Sequence, residues 1–194
     1  MFDSSNNVIN QTSTDIPGHW QRGDLDAARL ELGTAASSIG SEAFSGCSNI
    51  TGGLTIPDFT DNIGEAAFKD CNGFEGDLYI HDSMPEIGKQ IFYDCSGFDG
   101  SLYLGESLSS IGREAFYNCT GLNGNLVVPN GISTIGREAF ANCSGFKSSL
   151  TIAKQSVTTI GSDVFSGCQF NELILDQSTN IVNDTFVFSY FLYL

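Results

Sequence analysis

The sequence predicts a repeat solenoid. One short strand from each stacked coil joins a parallel β-sheet on the concave face, and a single helical turn lies on the other side. Three observations carry this. Ile-Gly recurs at Ile39, Ile63, Ile87, Ile111, Ile135 and Ile160, every 24 residues with one final step of 25. The same register places phenylalanine at Phe44, Phe68, Phe92, Phe116, Phe140 and Phe165, and all 6 cysteines at Cys47, Cys71, Cys95, Cys119, Cys143 and Cys168. A fixed period of this size marks stacked coils, because one repeat cannot bury its own apolar face.

The third observation is the strand. Each coil carries a three-residue apolar alternation, as in Leu54-Thr55-Ile56, Leu78-Tyr79-Ile80, Leu102-Tyr103-Leu104, Leu126-Val127-Val128, Leu150-Thr151-Ile152 and Leu173-Ile174-Leu175. Two apolar residues around a variable one describe a short strand with one buried face, its middle side chain pointing out. With Leu30-Glu31-Leu32, one period before Leu54, seven such strands at about 4.8 Å spacing predict a sheet roughly 30 Å long. Downstream, the spacing of Ala115, Phe116 and Cys119 in IGREAFYNC suits one helical turn laid on the core. Gly112 is expected to supply the bend into that turn. Ile91 and Val164 replace the alanine in two coils.

In chain order, residues 1–14 are polar and rich in Asn, Ser and Thr, and read as a mobile tail. Residues 15–38 read as an N-terminal cap with an incomplete first coil. Leu30-Glu31-Leu32 lies one period before Leu54-Thr55-Ile56, Trp20 takes the phenylalanine position, and His19 beside it is a cap residue. Residues 39–176 are the solenoid. Residues 177–194 read as a degenerate last coil and C-terminal cap, with Val182 in place of the glycine and Ser189 in place of the cysteine. Degenerate end copies fit caps, since terminal coils otherwise expose core. The apolar segment FVFSYFLYL, 186–194, is too short for a membrane span. It reads as a closing edge strand, with docking on another chain as the alternative.

The phrases LTIPDFTDNIGEAAFKDC, from Leu54, and LVVPNGISTIGREAFANC, from Leu126, resemble the BspA-type leucine-rich repeats, whose coils read as a strand ending in Ile-Pro, a turn, then Ile-Gly, Ala-Phe and Cys. The likeness covers residues 30–176 in six in-register copies. The chain departs from the pattern in keeping the proline only at Pro57 and Pro129, with His81, Gly105 and Ala153 elsewhere, in lacking an Asn ladder, and in an extra glycine per coil, as in CSGFDGSL. The resemblance implies a leucine-rich-repeat-like right-handed coil. It also implies a protein-binding or adhesive role at a bacterial or protist cell surface, hence an extracellular location. Fold alone does not set function.

Composition excludes several classes. A formal charge of −15, from 23 acidic and 8 basic residues, argues against a partner bound through phosphates, so neither nucleic acid nor anionic membrane is expected. No stretch is apolar over the roughly 18 to 20 residues a membrane span requires. The N-terminal residues have no basic region followed by an apolar run, so no secretory signal is visible in them. Cysteines one coil apart, with only His19 and His81 to join them, do not have metal-ligand spacing. Parallel side-chain vectors do not give a disulfide torsion, which leaves buried free thiols that serve packing. Such thiols fit a reducing cytoplasm as well as an exported protein. No nucleophile and base converge, and no phosphate-cradling loop is present, so neither catalysis nor a cofactor is expected. Asn-x-Ser/Thr triplets begin at Asn10, Asn49, Asn118, Asn142 and Asn183, but in a chain rich in these residues they carry no weight as glycan acceptors.

The candidate site is a recognition surface on the concave face. The outward residues Glu31, Thr55, Tyr79, Tyr103, Val127, Thr151 and Ile174 are expected in one row, and repeat proteins bind through such faces. Tyr79 and Tyr103, with Asp77, His81, Ser101 and Glu106 nearby, would form an aromatic and acidic patch of the kind that anchors a protein or glycoconjugate. Val127 and Thr151 extend it. The second expectation is self-association, with the apolar C-terminal edge joining the chain to others as a structural subunit.

Overall fold

The computed structural model describes residues 8–11, 15–16, 29–34, 36–152 and 157–175. Trp20, His19, Ala153 and the segment 176–194, with its expected edge strand, lie outside them. The described strands are short: β1 (Val8–Gln11), β2 (Asp15–Ile16), β3 (Arg29–Leu32), β4 (Ser38–Ile39), β5 (Asn62–Ile63), β6 (Leu78–Tyr79), β7 (Glu86–Ile87), β8 (Leu102–Tyr103), β9 (Ser110–Ile111), β10 (Leu126–Val128), β11 (Thr134–Ile135), β12 (Ser149–Ile152), β13 (Thr159–Ile160) and β14 (Glu172–Leu175). Every pairing is parallel, and the register joins equivalent positions of adjacent coils: Leu126 with Leu150, Tyr79 with Tyr103, Ile111 with Ile135.

Two rows of strands run along the solenoid. The first is the expected one and appears as β1-β3, β6-β8 and β10-β12-β14. It is interrupted at Leu54-Thr55-Ile56, which keeps the buried, exposed, buried alternation without forming a strand. β1 falls within the stretch read as a polar tail, where its Val-Ile pair aligns in register with β3. The second row, β2-β4-β5 and β7-β9-β11-β13, comes from the residue pair ending at the isoleucine of Ile-Gly, or in β2 at Ile16 of Ile-Pro. Sequence reasoning did not anticipate it, because two residues show no alternation to read.

The third side of each coil holds no helix among the described residues. Where a helical turn was expected, the backbone alternates its donors. The N–H groups of Glu114, Phe116 and Asn118 donate to Arg137, Ala139 and Ala141 of the next coil, whereas those of Tyr117 and Cys119 close local turns onto Glu114 and Phe116. A right-handed helix would spend all of them inside the segment. Two residues per coil also take positive φ, as at Glu114 (55°) and Asn118 (59°), which a right-handed helix forbids. Gly46, Asp70, Asp94, Asn118, Asn142 and Gly167 occupy the second of these positions. Glycine, asparagine and aspartate tolerate that backbone best. The asparagines of two Asn-x-Ser/Thr triplets, Asn118 and Asn142, thus have a backbone reason to be where they are.

At Gly112 a Cβ would stand 2.6 Å from the carbonyl carbon of Gly88, so the glycine allows one coil to seat against the previous one.

Between the three sides lies a core of stacked ladders. Phe44, Phe68, Phe92, Phe116, Phe140 and Phe165 stack with centroids 5.1 to 5.5 Å apart. Phe74 stacks on Phe98 and Phe146 on Phe170 in a second column, with Leu122 between the pairs. An aromatic pair adds about 0.5 to 1.5 kcal/mol beyond burial. Each coil therefore draws its stability from its neighbours.

None of the 6 cysteines forms a disulfide, and all but Cys168 are buried. They form a third ladder. The Sγ of Cys71, Cys119 and Cys143 each donates at 3.0 Å to a carbonyl 27 residues earlier, that of Phe44, Phe92 and Phe116.

Candidate functional site

The first strand row positions the concave face. Leu78 and Leu102 anchor β6 and β8 in the core, and alternation then turns Tyr79 and Tyr103 outward. They are 55% and 46% exposed, and their rings stack at 4.3 Å with planes 4° apart. The parallel register makes this pair, because it puts the two residues directly above one another. Contact with Tyr103 first, then desolvation and the charge of Asp77, raise the phenol of Tyr79 above its usual value. Tyr79 is therefore a neutral donor at physiological pH.

Beside the stack runs an open groove of about 770 Å³. Thr55, Tyr79 and Tyr103 line it from the strand row, and Asp58, Asp82 and Glu106 give it an acidic wall. The acidic residues occupy the same position in three successive coils. No lysine or arginine lines the groove.

His81 sits in this wall. Ser83 Oγ donates to the carbonyl of Asp58 at 2.6 Å, which leaves Oγ to accept from His81 Nδ1 at 2.9 Å. That network assigns the proton to Nδ1 and leaves Nε2 a bare acceptor, buried and without a hydrogen-bond partner.

Of the eight residues singled out from sequence, Tyr79, His81, Tyr103 and Glu106 line the groove. Asp77 and Ser101 stand at the strand entrance, where Asp77 Oδ1 accepts the N–H of Ser101 at 2.7 Å. That bond ties one coil to the next. Val127 is 50% exposed and Thr151 half-buried, and both continue the outward row beyond the groove. Thr55, expected in the outward row, also lines the groove, whereas Asp58 and Asp82 were missed. Their one-period spacing could have found them, since position 58 of one coil is position 82 of the next.

A second polar cluster lies on the turn side. Glu114, 7% exposed, accepts from Arg113 Nε at 2.9 Å and from Gln90 Nε2 at 2.5 Å. Burial pushes its carboxyl up, but the Arg113 and Gln90 bonds outweigh it and hold the group below the usual carboxylate range. On the same side Tyr93 and Tyr117 stack at 4.8 Å, and Lys69 Nζ stands 4.7 Å over the free face of Tyr93. Among the described residues no group of three or more His, Cys, Asp or Glu side chains is placed to hold a metal ion.

The sequence pattern of the BspA type leucine rich repeat region matches residues 24–147 and 109–192, in six copies. No curated protein matches the chain. In fold the chain is similar to a leucine-rich repeat protein of T. pallidum, with TM-score 0.56 and 19% identity over 87% of this chain and 77% of that one. It is similar also to one from Bacteroides ovatus, with TM-score 0.56 and 27% identity, of which it spans 45% while 86% of this chain is covered. A leucine-rich cell surface protein from Faecalibacterium prausnitzii aligns at TM-score 0.45 and 20% identity, over 88% of this chain and 59% of that one.

Proposed function

The chain belongs to the BspA-type leucine-rich repeat family, and from that premise we propose that it is a non-enzymatic binding module whose concave face recognises a protein or glycoconjugate at a cell surface. The carrying observation is the Tyr79–Tyr103 stack, two large aromatic rings left half in solvent beside a groove. Exposed aromatics of this size cost the free protein and repay it when a partner covers them. The thiols fit the non-enzymatic reading. Burial first, then charge repulsion from neighbouring thiols, pushes Cys71 and Cys95 well up, so neither offers a thiolate for attack.

The test is a screen of immobilised glycans and purified extracellular proteins with the wild type and with a Tyr79→Ala, Tyr103→Ala double variant. Both side chains lie outside the core, so the double variant keeps the wild-type circular dichroism spectrum. Partners that it no longer captures support the concave face; partners captured equally well by both proteins remove it.

A second reading, self-assembly through the C-terminal edge, draws support from Ile174 and Leu175, which are 43% and 38% exposed on β14. Light scattering on the full chain and on one ending at Asp184 separates the two. An assembly that dissolves on truncation favours the edge.

A further inference from the structure

We propose that the groove beside Tyr79 is a subsite for a cationic side chain, the guanidinium or ammonium of an Arg or Lys in an extended basic segment of a partner protein. The inference rests on the concave-face reading and names its ligand class.

The molecule contains the arrangement once already, with its cation in place. On the turn side a two-tyrosine stack, Tyr93 on Tyr117, has one free ring face, and the residue one coil earlier, Lys69, lays its ammonium over it. On the concave side the same stack recurs as Tyr79 on Tyr103, with a shorter centroid distance. The residue one coil earlier is Thr55, which is too short to cover the ring. The groove opens at this step. It is lined by the Thr55, Tyr79 and Tyr103 coils and by nothing from the coil of Val127. An empty place therefore stands over the negative face of the Tyr79 ring, where Lys69 stands over Tyr93. Cations are drawn to such faces at centroid distances within about 6 Å.

The same groove supplies the countercharge. Asp58, Asp82 and Glu106 recur one coil apart and all line it, so a cation entering it is drawn to three carboxylates, of which Asp82 also accepts the backbone N–H of Glu106 at 3.2 Å. An anionic ligand would meet three carboxylates with no compensating base. A guanidinium meets a ring face and carboxylate acceptors in one groove, which is the pairing arginine favours. The chain's −15 charge steers basic partners toward it but does not choose this spot. The choice lies in the ring face and the column together.

Titration calorimetry with a hexa-arginine peptide, at physiological ionic strength, tests this against hexa-citrulline, which keeps the shape and loses the charge. Hexa-arginine binds and hexa-citrulline does not. Thr55→Lys places an internal cation over Tyr79, as Lys69 does over Tyr93, and weakens binding about tenfold. Tyr79→Leu does likewise. Ser162→Lys makes the same change of charge at an exposed position far from the groove and alters affinity by less than about twofold. Equal losses from Thr55→Lys and Ser162→Lys, or equal binding of the two peptides, overturn the subsite in favour of general charge attraction. So does an absence of hexa-arginine binding. Chitohexaose is titrated in parallel. If that neutral sugar binds through Tyr79 and hexa-arginine does not, the concave-face reading stands and the cation subsite falls.

Discussion

Cys95 Sγ donates to the carbonyl oxygen of Phe68, 27 residues earlier, at 2.9 Å. The bond explains why a thiol, not merely a small apolar group, recurs once per coil. Phe68 O also accepts the N–H of Cys71, and the thiol of the following coil satisfies its second lone pair in the core.

Thiol reactivity should follow this ladder. Cys71, Cys95 and Cys119 are buried and held protonated, chiefly by desolvation, whereas Cys168 is half-buried at the last described coil, with its pKa pushed up to about 12. Ellman's reagent should label Cys168 first and slowly in the native chain, and all 6 thiols after denaturation. Peptide mapping that finds Cys95 labelled before unfolding would contradict the packing role.

Two glycines at the same repeat position should respond differently to alanine. At Gly112 a new Cβ would meet backbone of the previous coil at 2.6 Å, while at Gly88 the nearest atom is the side-chain Cδ1 of Ile91 at 3.5 Å. Gly112→Ala should cost about 2 kcal/mol or more, as forced overpacking does. Gly88→Ala should lie within about 1 kcal/mol of wild type, because the room exists and the unfolded chain loses freedom. Urea melts of the two variants decide it; equal costs would mean that coil spacing adjusts freely.

Glu114 should make stability depend on pH in one direction. Its folded pKa is depressed, so the bonds from Arg113 and Gln90 contribute above the usual carboxylate pKa of about 4.3 and are lost as pH falls through the folded value. Glu114→Gln should therefore be less stable than wild type near neutrality by about 1 kcal/mol. The gap should close in acid. A gap unchanged down to about pH 3 would assign the loss to packing and not to charge.

Much of this is legible in the sequence. The period identified equivalent residues, and equivalence alone placed the phenylalanines and cysteines in vertical ladders and Tyr79 above Tyr103. The acidic column Asp58, Asp82, Glu106 was equally legible, but a single coil shows only one carboxylate, and attention to the strand hid the column beside it. The N-terminal His19 and Trp20 and the C-terminal edge lie outside the described residues.

The sequence by itself determined which residues stack, because a repeat that cannot bury its own face must place like on like. The tertiary structure decided how the backbone between them runs. The pattern around Ala115 and Phe116 fits a helical turn as well as the observed ribbon. The donors of Glu114 and Asn118 choose the ribbon only because carbonyls of the next coil stand within reach. The second strand row, the seating of Gly112 and the open face of Tyr79 over Thr55 are likewise properties of two coils in contact. No single coil contains them, so no reading of one repeat could supply them.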